Sequence, residues 1–283
     1  MKNLITRVIS TLIAIVIVLS AAYTALMSGG FYTPSSFLAA SEYAPPVGKI
    51  LVVGGNRATG LEIVKLLVDK GEDVTVMVRK TSNIDELNAL GVKTVIADAL
   101  IEEQVQAAVA SDTYRTIFST LGTSQSDLTE HNLIMDLIGR EEKIDPTKRP
   151  DWIGNRYVID AAKANGVTRF IFITVIGAGD SWDAIPWLAR RGHNDPIAHK
   201  EKAEEHLRAS GLDYTILRPG GLTDRPPTGG ARLTEDRLAF SYVGREDLAI
   251  QTLDVFGNDE TIGKTYASYD SESLQVWTMI PSK

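Results

Sequence analysis

Apolar residues fall in short continuous runs along most of this chain, at 50–53, 74–78, 93–97, 116–120, 169–176 and 213–217. Runs of that length, bounded by glycine, proline or polar residues, predict buried strands. Between them apolar positions recur every three or four residues, which predicts helices over 61–70, 84–90, 101–110, 153–165 and 197–209. Gly166 and Gly211 stand where the last two of these helices end. Strand and helix alternate regularly, and the strands are apolar on both sides. That combination predicts an α/β domain with a doubly wound, mainly parallel sheet covered on both faces. Residues 123–150 break the rhythm. They are polar, carry Pro146 and Pro150, and leave room for a short helix around 133–138.

The first strand–helix–strand unit is the most specific. Its strand runs into Gly54-Gly55-Asn56-Arg57-Ala58-Thr59-Gly60, its helix opens at Leu61, and its second strand ends on Arg79. Small residues in such a turn let a pyrophosphate approach the backbone. The helix N-terminus then offers it unpaired N–H groups and partial positive charge. Glycine spacing alone is weak evidence, but with a strand before it and a helix after it the turn predicts a bound dinucleotide. About 20 residues past the turn, an acid would favour NAD and a basic residue a 2′-phosphate. Arg79 therefore favours NADP, with NAD as the alternative, and Arg57 could reinforce it. In parallel sheets ligands lie beyond the C-terminal strand ends, so the residues following each strand are the remaining candidates.

Ahead of this domain, residues 8–26 carry no charge and are mostly Ile, Val, Leu and Ala. The run is near the ~20 residues a helix needs to cross a bilayer. The preferred expectation is a transmembrane anchor within 1–27, then a Gly/Ser/Pro/Ala-rich linker over 28–47 and the nucleotide-binding domain over 48–283. A signal peptide cleaved at Ser20-Ala21-Ala22 and a buried core helix are the other two readings. Lys2 and Arg7 precede the run, which predicts an exported domain, whereas a nicotinamide cofactor is supplied in the cytoplasm.

Composition narrows the chemistry further. The 283 residues are 44% hydrophobic, enough for a large core, and the net charge of −7 argues against a nucleic-acid partner. The chain has no cysteine, so disulfides, thiolate metal sites and a cysteine nucleophile are excluded. The His and Asp residues lack any ligand spacing for a metal.

Several blocks in order extend the picture: GGNRATGLEIVKLL, NRYVIDAAKANGVTRFIFITVIGAGDS, KAEEHLRASGLDYTILRPGGL, and GREDLAI followed by ETIGKTY. Over roughly residues 49–270 the chain resembles the atypical short-chain dehydrogenase/reductases. It is most similar to the NAD(P)-binding group related to NmrA-like proteins and the biliverdin/flavin reductase-like enzymes. The resemblance implies cofactor contacts from Gly54, Asn56, Arg57, Ala58, Thr59 and Gly60. Arg57 stands where many members have the middle glycine, and Ala58 replaces a frequent glycine, which narrows the approach to the pyrophosphate. It further implies contacts from Asp98 and Ala99 near the adenine, from Thr120, Leu121 and Gly122 beside the adenosine and ribose, and from Thr174 beside the nicotinamide. Lys200 matches the family lysine that reaches the ribose, and Lys200 and Thr174 are the catalytic candidates. Asp98 could equally cap the next helix and still leave its backbone N–H for the base.

One departure dominates. In the short-chain dehydrogenases a tyrosine four residues before the lysine donates the proton. Here that position is Pro196, and the chain contains no Tyr-x-x-x-Lys. His193 and His199 lie where a proton donor would be needed, and Trp182 and Trp187 could form a lid or cover a sheet edge. Arg218 reads as an internal ion-pair residue, and Asn155 as a helix-start residue that could orient loop backbone. Two functions follow: an NAD(P)H-dependent oxidoreductase acting on a small molecule such as a flavin, quinone or conjugated carbonyl, or a non-catalytic NADP-binding sensor or assembly factor with a protein partner.

Overall fold

The computed structural model describes residues 11–21, 33–40, 42–123, 149–185 and 194–273. Ten strands form within it: β1 (Lys49–Val53), β2 (Val74–Val78), β3 (Lys93–Ile96), β4 (Tyr114–Ser119), β5 (Arg169–Ile173), β6 (Asp213–Pro219), β7 (Gly221–Thr223), β8 (Ala231–Thr234), β9 (Tyr242–Gly244) and β10 (Lys264–Asp270). Eight of them make one sheet in the order β3-β2-β1-β4-β5-β6-β10-β8, and β7 pairs with β9. All pairings in the large sheet are parallel except β10 with β8. Strand order reverses between β1 and β4. This is the switch point at which doubly wound sheets bind ligands.

Helices α1 (Ala58–Asp69), α2 (Asp85–Ala89), α3 (Glu102–Val109), α4 (Asn155–Ala164), α5 (Asn194–Ser210) and α6 (Arg245–Phe256) cover the two faces. Alternate strand residues divide between them. Ile50, Val52, Val76, Phe118, Ile171 and Leu217 pack under α1 and α6, while Leu51, Val53, Ile117, Phe170, Phe172 and Ile216 pack under α3, α4 and α5. That period of two explains why the strands read as unbroken apolar runs. The edge strand β3 is the exception, mostly exposed because it has one neighbour and one open side.

The expected elements recur with shifted ends. Beyond Arg218 the sequence pattern is silent, yet the chain continues through β7, β8, β9, α6 and β10, and β10 inserts next to β6 in parallel. The short helix expected at 133–138 lies outside the described residues.

Two N-terminal expectations change. Residues 11–21 are helical and exposed, but among the described residues no helix is long and apolar enough to cross a membrane. The expected membrane anchor, and the membrane localisation that followed from it, are corrected accordingly. The supposed linker is also no free tether. Leu38 N–H donates to Leu233 O at 2.7 Å and Thr234 Oγ1 to Ser36 O at 2.7 Å, so residues 36–38 bind the β8 edge. Phe37 packs on Tyr269, Tyr43 on Phe256, and Ala44 N–H donates to Gly257 O.

Candidate functional site

The turn after β1 is built for close approach. Gly54 has φ +85°, and a Cβ there would lie 2.7 Å from Thr120 Oγ1; a Cβ at Gly60 would collide with the Gly54 carbonyl. Thr120 Oγ1 donates to the carbonyls of Val53 and Gly54 at 3.2 and 3.1 Å, which pins the turn to the end of β4. Ala58 is held at φ +48°, left-handed backbone that glycine adopts without strain. No side chain caps the start of α1, and its first turn has no acid. Its leading N–H groups therefore keep the donors and the dipole that a phosphate needs. These features fit a dinucleotide pyrophosphate.

Beside the turn, Asn56 Nδ2 donates to Asn83 O at 3.5 Å. Arg57, Arg79 and Lys80 are exposed, and the Ser82 hydroxyl accepts from Arg79 N–H at 3.1 Å, closing the turn that follows β2. Thr59 is buried within α1. Asp98 behaves as a local cap: its carboxylate accepts from Leu100 N–H at 2.9 Å, and its own N–H donates to Gln104 Oε1 at 2.8 Å. The N–H expected to serve an adenine is thus taken by Gln104. Ala99 is buried against Gly154.

Where the nicotinamide end would lie, β4 and β5 deliver their C-termini to α5 and a single π-helical turn, Pro150–Gly154. Pro196 sits in the first turn of α5, where proline costs no helix hydrogen bond. One turn later Lys200 points inward, 7% exposed. Its Nζ donates to Leu121 O, approaches Ile173 O at 3.5 Å and Asp151 Oδ1 at 3.9 Å, and lies 5.3 Å from the Phe172 ring centre. Burial pulls the ammonium below the usual lysine range, while Asp151 and Glu204 oppose that shift. Asp151, 4% exposed, accepts from both the N–H and the hydroxyl of Thr123. A Cβ on Gly122 would meet Asp151 Oδ1 at 3.4 Å and Lys200 Nζ at 3.6 Å, so Gly122 forms the floor over this pair. Asn155, fully buried, accepts from Ser119 Oγ at 2.7 Å and donates to the carbonyls of Asp151 and Pro150 at 2.9 and 3.2 Å. It does orient backbone, tying the π turn to β4.

Thr174 is turned elsewhere. Its hydroxyl donates to Glu204 Oε1 at 2.7 Å and reaches Leu217 O at 3.4 Å, so it belongs to a buried ionic group and not to an open nicotinamide face. Glu204 is the hub of that group, fully buried and bonded to Arg218 at 3.1 and 2.6 Å and to Arg208 at 3.0 Å. Arg218 also donates to Asp180 at 2.6 Å. Burial pulls its pKa down, but Glu204 and Asp180 outweigh that and the net shift is upward. Arg218 is thus an internal ion-pair residue. His199 is 4% exposed, hence no surface histidine; Trp182 packs against Ile176 and its neighbours; His193 and Trp187 lie outside the described residues. Among the described residues no group of His, Asp or Glu could hold a metal ion.

Sequence reasoning missed Asp151, Thr123 and Glu204. Asp151 and Thr123 flank the polar stretch where no pattern exists, and Glu204 reads as one of several exposed helix charges until its arginines are known.

A glycine cradle under an uncapped helix start, at the switch point of a parallel sheet, defines a dinucleotide-binding domain. The model of the NAD(P)H-binding family matches residues 54–259, and the chain belongs to that family; it is an atypical short-chain dehydrogenase/reductase. It is 30% identical over 206 residues to an uncharacterized sugar epimerase of Bacillus subtilis, covering 71% of this chain and 84% of that one. It is 33% identical over 115 residues to sanguinarine reductase of Eschscholzia californica, covering 37% and 40% of the two chains. The structure resembles that of the anaerobilin reductase ChuY of Escherichia coli O157:H7, with TM-score 0.65, 26% identity, and 80% and 98% of the two chains covered.

Proposed function

We propose that this protein is an NADPH-dependent reductase of a conjugated acceptor, such as a flavin, quinone or unsaturated carbonyl compound. The observation that carries this is a buried lysine at the nicotinamide end with proline in place of the proton-donating tyrosine. When bound, the reduced nicotinamide supplies a hydride. A conjugated acceptor spreads the resulting negative charge over its π system, so solvent can supply the proton and no tyrosine is required. Lys200 holds positive charge beneath the end of β4, where it favours negative charge that develops on a neighbouring group. The turn 54–60 and the α1 N-terminus hold the pyrophosphate. Arg57, Arg79 and Lys80 supply the positive charge that a 2′-phosphate selects. The two relatives named as reductases point the same way.

The test is NADPH oxidation, followed by loss of nicotinamide absorbance, by the full chain with a panel of flavins, quinones and conjugated carbonyls. Turnover with at least one, and tighter binding of NADPH than NADH, is the expected result. Tight NADPH binding without turnover on any acceptor would replace this reading with the non-catalytic sensor, and no binding would overturn both.

A further inference from the structure

We propose that Asp151 is the positioning residue of this site, the counter-ion that keeps the buried Lys200 charged while fixing the Thr123 edge of the cofactor groove. This rests on Lys200 being the nicotinamide-side cation of the proposed reductase. It adds a residue from an element that no part of the strand–helix pattern announces, the π turn before α4.

Three facts support it. First, Lys200 is buried among partners that are mostly neutral: the carbonyls of Leu121 and Ile173 and the ring of Phe172. Carbonyl dipoles solvate an ammonium but do not neutralise it, and an unneutralised buried ammonium loses its proton. Second, the charged groups around Lys200 are unequal. Glu204, one turn along the same helix, already receives Arg208, two bonds from Arg218, and the Thr174 hydroxyl. Its charge is therefore committed to two arginines. Asp151 has one oxygen on Thr123 and the other 3.9 Å from Lys200 Nζ. His199 and Arg149 are buried nearby in sequence, next to Lys200 and two residues before Asp151. Third, Asp151 is itself fixed. Its carbonyl receives Asn155 Nδ2, and Asn155 in turn holds Ser119 on β4, so the carboxylate cannot drift from the lysine without disturbing the β4 end.

Thr123 converts this pair into a groove element. Its hydroxyl and N–H both donate to Asp151 Oδ2, so one carboxylate sets both the lysine charge and the backbone after Gly122. π-helical turns are rare and occur frequently at functional sites. Here the turn aims Asp151 beneath Gly122.

The experiment is a pH titration of the lysine 13Cε resonances in the full chain without cofactor, with Lys200→Met assigning the signal. Wild-type Lys200 should keep its proton to higher pH than Asp151→Asn, whose midpoint should fall by at least one pH unit, a tenfold change in proton affinity. Thr123→Val, which keeps the carboxylate, should stay closer to wild type than Asp151→Asn does. In parallel, NADPH affinity of Asp151→Asn should weaken about tenfold or more as pH rises through the new midpoint and recover on acidification. Equal midpoints in wild type and a folded Asp151→Asn would overturn the proposal. The titration needs no cofactor, so its outcome stands apart from failure of the reductase reading, which absent NADPH binding by wild type would mark.

Discussion

Glu204 shows how one side chain can set the use of its neighbours. A carboxylate with no solvent exposure is tolerable only when its lone pairs are filled, and here Arg218, Arg208 and Thr174 fill them. The same bonds draw the Thr174 hydroxyl away from the cofactor side and fix the β6 residue Arg218 between α5 and the Gly179–Ala184 turn, where it meets Asp180. Glu204→Gln keeps the shape but leaves two guanidinium groups around a neutral amide. Breaking a buried pair in this way costs about 3–5 kcal/mol, to be read as a lower midpoint in urea unfolding. Arg208 is one-third exposed and can turn to solvent, so the low end of that range is expected. An unchanged midpoint would mean that Glu204 is not the centre of the network.

At the scale of elements, what the sequence reveals depends on whether an element is held by a repeating pattern or by single contacts. β1, β2, β5 and β6 were legible because both faces are buried, and the glycine turn because strand and helix frame it. The π turn is not, because nothing periodic marks it; Asn155, through Ser119 and two carbonyls, and Thr123, through the Asp151 carboxylate, hold it. Within the candidate site, Lys200 and the turn residues were legible from motif positions, whereas Asp151 and Thr123 meet only after folding across 28 residues of sequence. The strap within 33–46 departs from the expected linker for a similar reason. Its Gly/Pro/Ser composition suits a tether, yet three hydrogen bonds and two aromatic contacts fasten it along β8 and the end of α6. It covers the edge that β8 would otherwise present to another chain. A chain starting at Val47 should be less stable than one starting at Thr33 by about 2–4 kcal/mol, from lost edge bonds and partial aromatic burial. Urea unfolding of the two chains measures this, and equal stability would reduce the strap to a surface decoration. Thr234→Val, which removes one strap bond and also the bond from Asp236 N–H to the same hydroxyl, should lose about 1–2 kcal/mol.

For the whole molecule the relevant quantity is charge. The chain carries −7 at neutral pH, and NADPH is a polyanion, so the general field of the protein opposes binding. Attraction must then come from a short range, from the N–H groups of α1 and from Arg57, Arg79 and Lys80 at the neighbouring strand end. The backbone donors act equally on NADH and NADPH because both share the pyrophosphate. On the proposed reading the arginines distinguish them, since the 2′-phosphate adds roughly −1.5 to −2 charges. They are exposed, so their contribution is open to screening, whereas N–H groups in contact with a phosphate are screened much less. Raising salt from about 0.01 M to about 1 M shortens the Debye length from about 30 Å to about 3 Å. NADPH affinity should therefore fall about tenfold more than NADH affinity over that range, read by nicotinamide fluorescence. In Arg79→Ala the two cofactors should converge, with NADPH weakened about tenfold at low salt and NADH little changed, a loss of about 1.4 kcal/mol. If NADH and NADPH lose affinity in parallel, both in salt and in the Arg79 variant, the strand-end cations do not read the 2′-phosphate and the cofactor preference lies elsewhere in the groove.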